Sequence, residues 1–153
     1  MLRLTKHLLL PSLLLVLAAG LHLNAQAPRP KTTPIIATRL FSGPDGQTHA
    51  EPINLSASTS GPNAQADLLK SSGIRFATRG AGTSDDWHTA PGRQYLVTLK
   101  GQVDIEIGNG EKVHAGTGSI LLIEDTTGKG HRATVVGTEE WHVLFIPIAT
   151  ATH

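Results

Sequence analysis

The stretch QVDIEIGNGEKV, Gln102 to Val113, constrains the fold more than any other part of the chain. Val103, Ile105 and Ile107 recur at every second position, with Asp104 and Glu106 between them. A period of two puts the apolar set on one face and the acids on the other, as in a half-buried strand. Asn109-Gly110 then offers the positive-φ turn that a tight hairpin prefers. Around this hairpin the same grammar repeats. IIATRLFSG, THAEPINLS, GIRFATRG, YLVTLKG, GTGSILLIED, HRATVV and EEWHVLFIPI each read as a short strand bounded by turn residues. GTGSILLIED is the most continuously apolar, as a central strand would be. Ser56 to Gly73 reads as a loop with one helical turn at Ala66–Leu69. Past the first 27 residues no segment sustains a helical period, so the expected domain is all-β with about ten short strands.

Composition agrees. Gly (16) and Pro (9) are frequent while charged residues are only 16%, which favours tight turns over long surface helices. The 39% apolar fraction can fill one core, and 153 residues suit one domain. A formal net charge of +1, without a basic run or an RNA-binding aromatic motif, argues against a nucleic-acid partner. The absence of cysteine excludes disulfides, thiolate nucleophiles and Cys-based metal sites.

The first 27 residues are a different kind of sequence. Arg3 and Lys6 precede a leucine-rich run that ends at Ala25-Gln26-Ala27, the three-part layout of a secretory signal peptide. The alternative is an uncleaved anchor, which Pro28 beside the cut keeps open. A secreted or periplasmic location is expected, with no membrane contact beyond the signal segment. Removing Arg3 and Lys6 takes the formal charge from +1 to −1. The organisation read from the sequence is therefore a signal peptide over residues 1–27, an N-terminal arm over 28–34, and one domain over 35–153. Six histidines lie beyond the leader: His49, His88, His114, His131, His142 and His153.

Some motifs fail on inspection. TTGKG, Thr126 to Gly130, lacks the early glycine and the following Ser or Thr of a phosphate loop. No Gly-x-Ser-x-Gly elbow occurs. Two other stretches carry more, DDWHTAPGRQYLVTLKG (Asp85 to Gly101) and GTGSILLIEDTTGKGH (Gly116 to His131). Together they resemble the paired motifs of the cupin superfamily. Gly82, His88, Gln94 and Gly101 stand at or near the glycine, histidine, glutamate and closing-glycine positions of the first motif. Gly118, Gly128 and His131 match the second, with Thr126 in place of its proline. With TRLFSGPDGQTH near the start, the resemblance spans Thr38 to Pro147 and is narrowest with small single-domain cupins of uncertain function.

That resemblance implies a double-stranded β-helix, or jelly-roll barrel, with a small-molecule ligand inside. It also implies a divalent metal (Fe, Mn, Ni or Zn) held by His88, Gln94 and His131. Two departures weigh against that metal: Ala90 replaces the second histidine of the first motif, and Gln94 replaces its glutamate. Two imidazoles and an amide leave the charge of the ion uncompensated, unless Asp125 or Glu124 turns inward. If Gln94 points into the barrel, Leu96 and Thr98 follow it by alternation, while Arg93 and Tyr95 point out. Trp87, Leu96, Thr98, Glu124 and Asp125 are the expected pocket residues. His131 beside Asp125 or Glu124 would form an imidazole–carboxylate pair. His114 reads as an exposed residue of the polar turn after Glu111-Lys112, His49 as a loop residue able to fold over the barrel mouth, His142 as either core-facing or solvated, His153 as terminal, and Asp85-Asp86 as a solvated turn. Two functions stay open: a metal-free small-ligand binder, or a metal-dependent cupin enzyme of oxygenase or isomerase type. Cupins often share edge strands between copies, so a homodimer is also expected.

Overall fold

The computed structural model describes residues 33–56 and 69–149, so the leader, most of the arm, the segment holding Ala66 and His153 lie outside the described residues. Among the described residues there are nine strands and no helix. They are β1 (Ile36–Ser42), β2 (Thr48–Asn54), β3 (Arg75–Arg79), β4 (Gln94–Lys100), β5 (Gln102–Glu106), β6 (Lys112–Gly116), β7 (Ile120–Glu124), β8 (Arg132–Val135) and β9 (Trp141–Pro147). A six-stranded sheet runs β2-β1-β7-β4-β9-β3, and a three-stranded sheet runs β6-β5-β8. β1 and β7 pair in parallel, and every other pair is antiparallel. The order departs from the sequence at every long connection, so the chain passes repeatedly from one sheet to the other. That is a double-stranded β-helix.

Alternation decides which side chains meet between the sheets. Val103, Ile105 and Ile107 are each at most 1% exposed, as their spacing requires. β7 lies between β1 and β4, and Leu121, Leu122 and Ile123 are all buried, which accounts for its unbroken apolar run. Leu40, Leu96, Trp141, Val143 and Phe145 complete the core. Trp141 donates its indole N–H to Thr98 Oγ1 (3.1 Å), so the one polar atom of that ring is paired within the core.

The β5–β6 turn differs from the sequence expectation. Only Gly110 has positive φ (83°); Asn109 does not. The loop closes through Ile107 N donating to Glu111 O and Gly110 N donating to Ile107 O (both 2.9 Å). Asn109 instead uses its side-chain oxygen to accept from Glu111 N (2.8 Å). The hairpin is therefore one with a single left-handed glycine rather than a two-residue turn with both residues at positive φ.

Candidate functional site

His88 and His131 come together through the backbone. His88 N donates to His131 O (3.0 Å) and His131 N donates to His88 O (2.9 Å), an isolated bridge at one end of the barrel. Gly130 makes this approach possible. Its φ is +74°, and a Cβ there would overlap the His88 carbonyl and stand 2.7 Å from Thr89 N. The two rings then lie 4.6 Å apart, centroid to centroid, tilted by 56°.

Each ring has one nitrogen committed. His88 Nδ1 donates to the Asp86 carbonyl oxygen (2.8 Å). His131 Nδ1 donates to Asp125 Oδ2 (2.7 Å), and Thr48 Oγ1 donates to the same oxygen at 3.0 Å. A carbonyl or carboxylate oxygen can only accept, so both Nδ1 atoms carry the proton and both Nε2 atoms are left for the pocket. Asp125 is fully buried, with Oδ1 unpaired.

Gln94 sits on β4 with its side chain inward, 7% exposed, and no described residue hydrogen-bonds its amide. It joins the two histidines in a pocket of about 90 Å³. Leu96, Ile105, Ile123, Ala133, Trp141 and Phe145 form the apolar wall, and Arg75, Arg79 and Asp85 stand at its edge. A single water needs about 10–15 Å³ of such space, so the pocket suits a ligand of a few heavy atoms.

The other expected pocket residues are placed elsewhere, each for a physical reason. Thr98 faces inward but lies deeper, bound to Trp141. Trp87 lies under Lys129, whose Nζ is 3.8 Å from the ring centroid, with Arg132 also near the ring. It forms a cation–π surface and not a pocket wall. Asp125 touches the pocket only through His131. Glu124 has the outward parity of β7, beside Leu122 and opposite Ile123 and Leu121. There its carboxylate accepts from Arg39 Nε (2.6 Å) and Arg93 Nε (2.7 Å). Burial opposes its ionisation, but the hydrogen bonds from Arg39 and then Arg93 outweigh burial and hold the carboxyl below its ordinary value. Glu124 is not poised to turn inward.

Sequence reading missed Arg75, Arg79 and Asp85. Alternation in RFATR would have found the arginines, because Arg75, Ala77 and Arg79 must share one face of β3. Asp85, expected as a solvated turn residue, forms an ion pair with Arg79. His49 bonds Asp45 instead of folding over the pocket, and His114 lies on β6, paired with Asp104, and not in a turn. A larger depression of about 480 Å³ opens at the other end of β8, lined by Gly101, Gly116, Gly137 and their neighbours. It holds no imidazole, and its Glu139 is paired with Lys100 (3.3 Å).

Among the described residues, no three His, Asp or Glu side chains converge as metal ligands do. The available donors are two Nε2 atoms and one amide. The tied Nδ1 atoms match the way metal-binding histidines are held. The charge does not match: the pocket edge carries two guanidiniums against one carboxylate, and no carboxylate reaches the Nε2 atoms. On this donor set a resident divalent ion fits poorly.

No family model matches the chain, and no curated protein matches it. Solved structures do. A Klebsiella pneumoniae protein with a double-stranded β-helix domain is 21% identical, with 56% of this chain and 71% of that one covered, at a TM-score of 0.43. A cupin superfamily protein from Desulfitobacterium hafniense is 12% identical over 80% and 94% of the two chains, at a TM-score of 0.41. The cupin domain of a Schizosaccharomyces pombe protein is 12% identical over 78% and 86%, at 0.42. The chain is similar in fold to cupins. At these identities the likeness concerns the fold alone and says nothing of activity.

Proposed function

We propose that the barrel binds a small organic molecule directly, without a resident metal, in the pocket between His88, Gln94 and His131. The observation that carries this reading is Gln94. Its side-chain amide is 7% exposed, has no hydrogen-bond partner among the described residues and lines the pocket. Its donor and acceptor are therefore open to whatever occupies that space, water or a ligand that replaces the water. The test is a fragment screen by ligand-observed NMR on the purified full chain, with and without EDTA, repeated on Ala133→Leu. Ala133 is 8% exposed on the pocket wall, so the larger side chain fills the space while remaining apolar. Hits that persist in EDTA and vanish with Ala133→Leu support the reading. Hits that bind both proteins alike refute it.

One observation favours a second reading, a weak Fe, Mn, Ni or Zn site serving a metal-dependent enzyme. Both imidazoles present an unprotonated Nε2 in their neutral form and are steadied from behind. In that case Gln94→Glu tightens the metal by adding the missing negative charge, and His131→Ala abolishes binding. Equal affinity in all three proteins excludes it.

Export of the domain is also our proposal, supported by the layout of residues 1–27. An N-terminus near Pro28 in periplasmic material checks it. A homodimer is proposed on the edge strand β3, where Phe76 is 73% exposed. Light scattering of wild type and Phe76→Lys checks that.

A further inference from the structure

We infer that the ligand of this pocket is a small carboxylic acid with a hydroxyl or keto group beside its carboxylate. The inference rests on the direct-binding reading above and adds the chemical class.

Arg75 supplies the first argument. Its guanidinium lies 4.4 Å from the centroid of Phe145, which is itself part of the pocket wall. Among the described residues it has no acidic partner and no hydrogen bond, whereas its neighbour on the same face, Arg79, is held by Asp85. Among the described residues, one arginine is therefore paired, and the other lies over a ring with no protein group on its five N–H donors. A planar fork of donors fixed in this way recognises a planar carboxylate through two parallel hydrogen bonds.

The depth of the pocket supplies the second, independent argument. Gln94 is more than nine-tenths buried, unpartnered, and offers both a donor and an acceptor. Next to it, His131 is 7% exposed with Nε2 free. These groups suit one neutral oxygen. A hydroxyl donates to Nε2 or to the amide oxygen and accepts from the amide nitrogen, and a keto oxygen accepts from the amide nitrogen alone. A second carboxylate is disfavoured there, because Asp125 stands directly behind His131. The rest of the wall is apolar (Leu96, Ile123, Ala133, Phe145), so what the ligand carries besides these two polar groups is a small alkyl substituent. At about 90 Å³ the pocket holds only a few heavy atoms.

Isothermal titration on the full chain tests this with lactate and glycolate against their uncharged amides, propionate and inorganic phosphate. The expected order is hydroxy acid first, with lactamide and propionate at least about tenfold weaker, since each lacks one of the two anchors. Arg75→Gln should lower lactate affinity to that of lactamide without changing lactamide. Gln94→Leu should erase the preference for lactate over propionate. Arg75 is exposed on an edge strand, so the fold should survive, and an unchanged melting midpoint verifies it. Arg75→Lys keeps the charge but not the fork and should fall between. Amides that bind as well as acids, or phosphate that binds as well as lactate, overturn the inference, as does lactate affinity unchanged in Arg75→Gln. The direct-binding reading survives those results if Ala133→Leu still removes the fragments. It falls with the inference only if no probe or fragment depends on Ala133.

Discussion

Gly130→Ala is the substitution that most directly probes how the pocket is assembled. Gly130 has φ +74°, and the space for a Cβ is already filled by the His88 carbonyl and Thr89 N. Holding an alanine in the left-handed region costs about 1–2 kcal/mol. Relieving the overlap requires His88 to move away from His131, which weakens the two hydrogen bonds of 2.9 and 3.0 Å between them. Each such bond contributes about 0.5–1.5 kcal/mol. Alanine also restricts the unfolded chain, which returns about 0.4–1 kcal/mol. The net destabilisation is then about 1–5 kcal/mol. Gly110→Ala provides the comparison, because Gly110 has φ +83° but nothing within 4 Å of its Cβ position. It should lose only the conformational part, about 1 kcal/mol or less. Urea denaturation of the two variants and wild type measures the difference. Ligand affinity should fall in Gly130→Ala and hold in Gly110→Ala, since only the first moves the imidazoles. Equal destabilisation of the two, or unchanged affinity in Gly130→Ala, would show that the glycine does not set the spacing of the rings.

Two further outcomes follow from the core and from the outer face of β7. Val103→Asp should cost several kcal/mol, because the residue is 0% exposed and a carboxylate there has no partner; Val103 is the cleaner site than Ile105, which borders the pocket, and a folded variant of near-wild-type midpoint would mean the β5 face is misassigned. Glu124→Gln should lower stability at neutral pH and matter less in acid. Its folded-state carboxyl is held below the ordinary value, so its contribution is present above the unfolded value and disappears as pH falls through the folded one. The gap between the urea midpoints of the two proteins should narrow steadily as pH is lowered from 7, and a gap that stays constant rules Glu124 out.

The strands were readable because their signal is local. Alternation in QVDIEIG and the apolar run in ILLIE are each decided by whether one or both faces of a strand are covered. Nine described strands agree with the expectation in kind, though what was read as a two-residue turn holds only one residue at positive φ. Which strands pair is not local. Nothing within IATRLFS marks it as the parallel neighbour of ILLIE, whose paired residues lie 83 positions on; that pairing comes from the sheet closing around a shared core.

The pocket shows the same division. Gln94 was placed inside by the cupin resemblance and Leu96 followed it by parity, which was sufficient because β4 is straight through both. Parity was also the rule that put Glu124 outside, once its strand ended at that residue and Ile123 was fixed opposite Gln94. Thr98 obeyed parity yet left the pocket, because depth along a barrel depends on which large side chain lies across from it, here Trp141. Asp125 follows the end of β7, where alternation no longer applies, and its position is set instead by Thr48 and His131 from two other parts of the chain. Charge was the least legible property. Read singly, an arginine in GIRFATRG is a solvated surface residue, and an acid in SDDWH is a turn residue. Only the pairing of β3 with β9 brings Arg75 against Phe145, while Asp85 takes up Arg79. The electrostatic character of the pocket is thus a property of the sheet edge, and a motif comparison centred on His88 and His131 does not contain it.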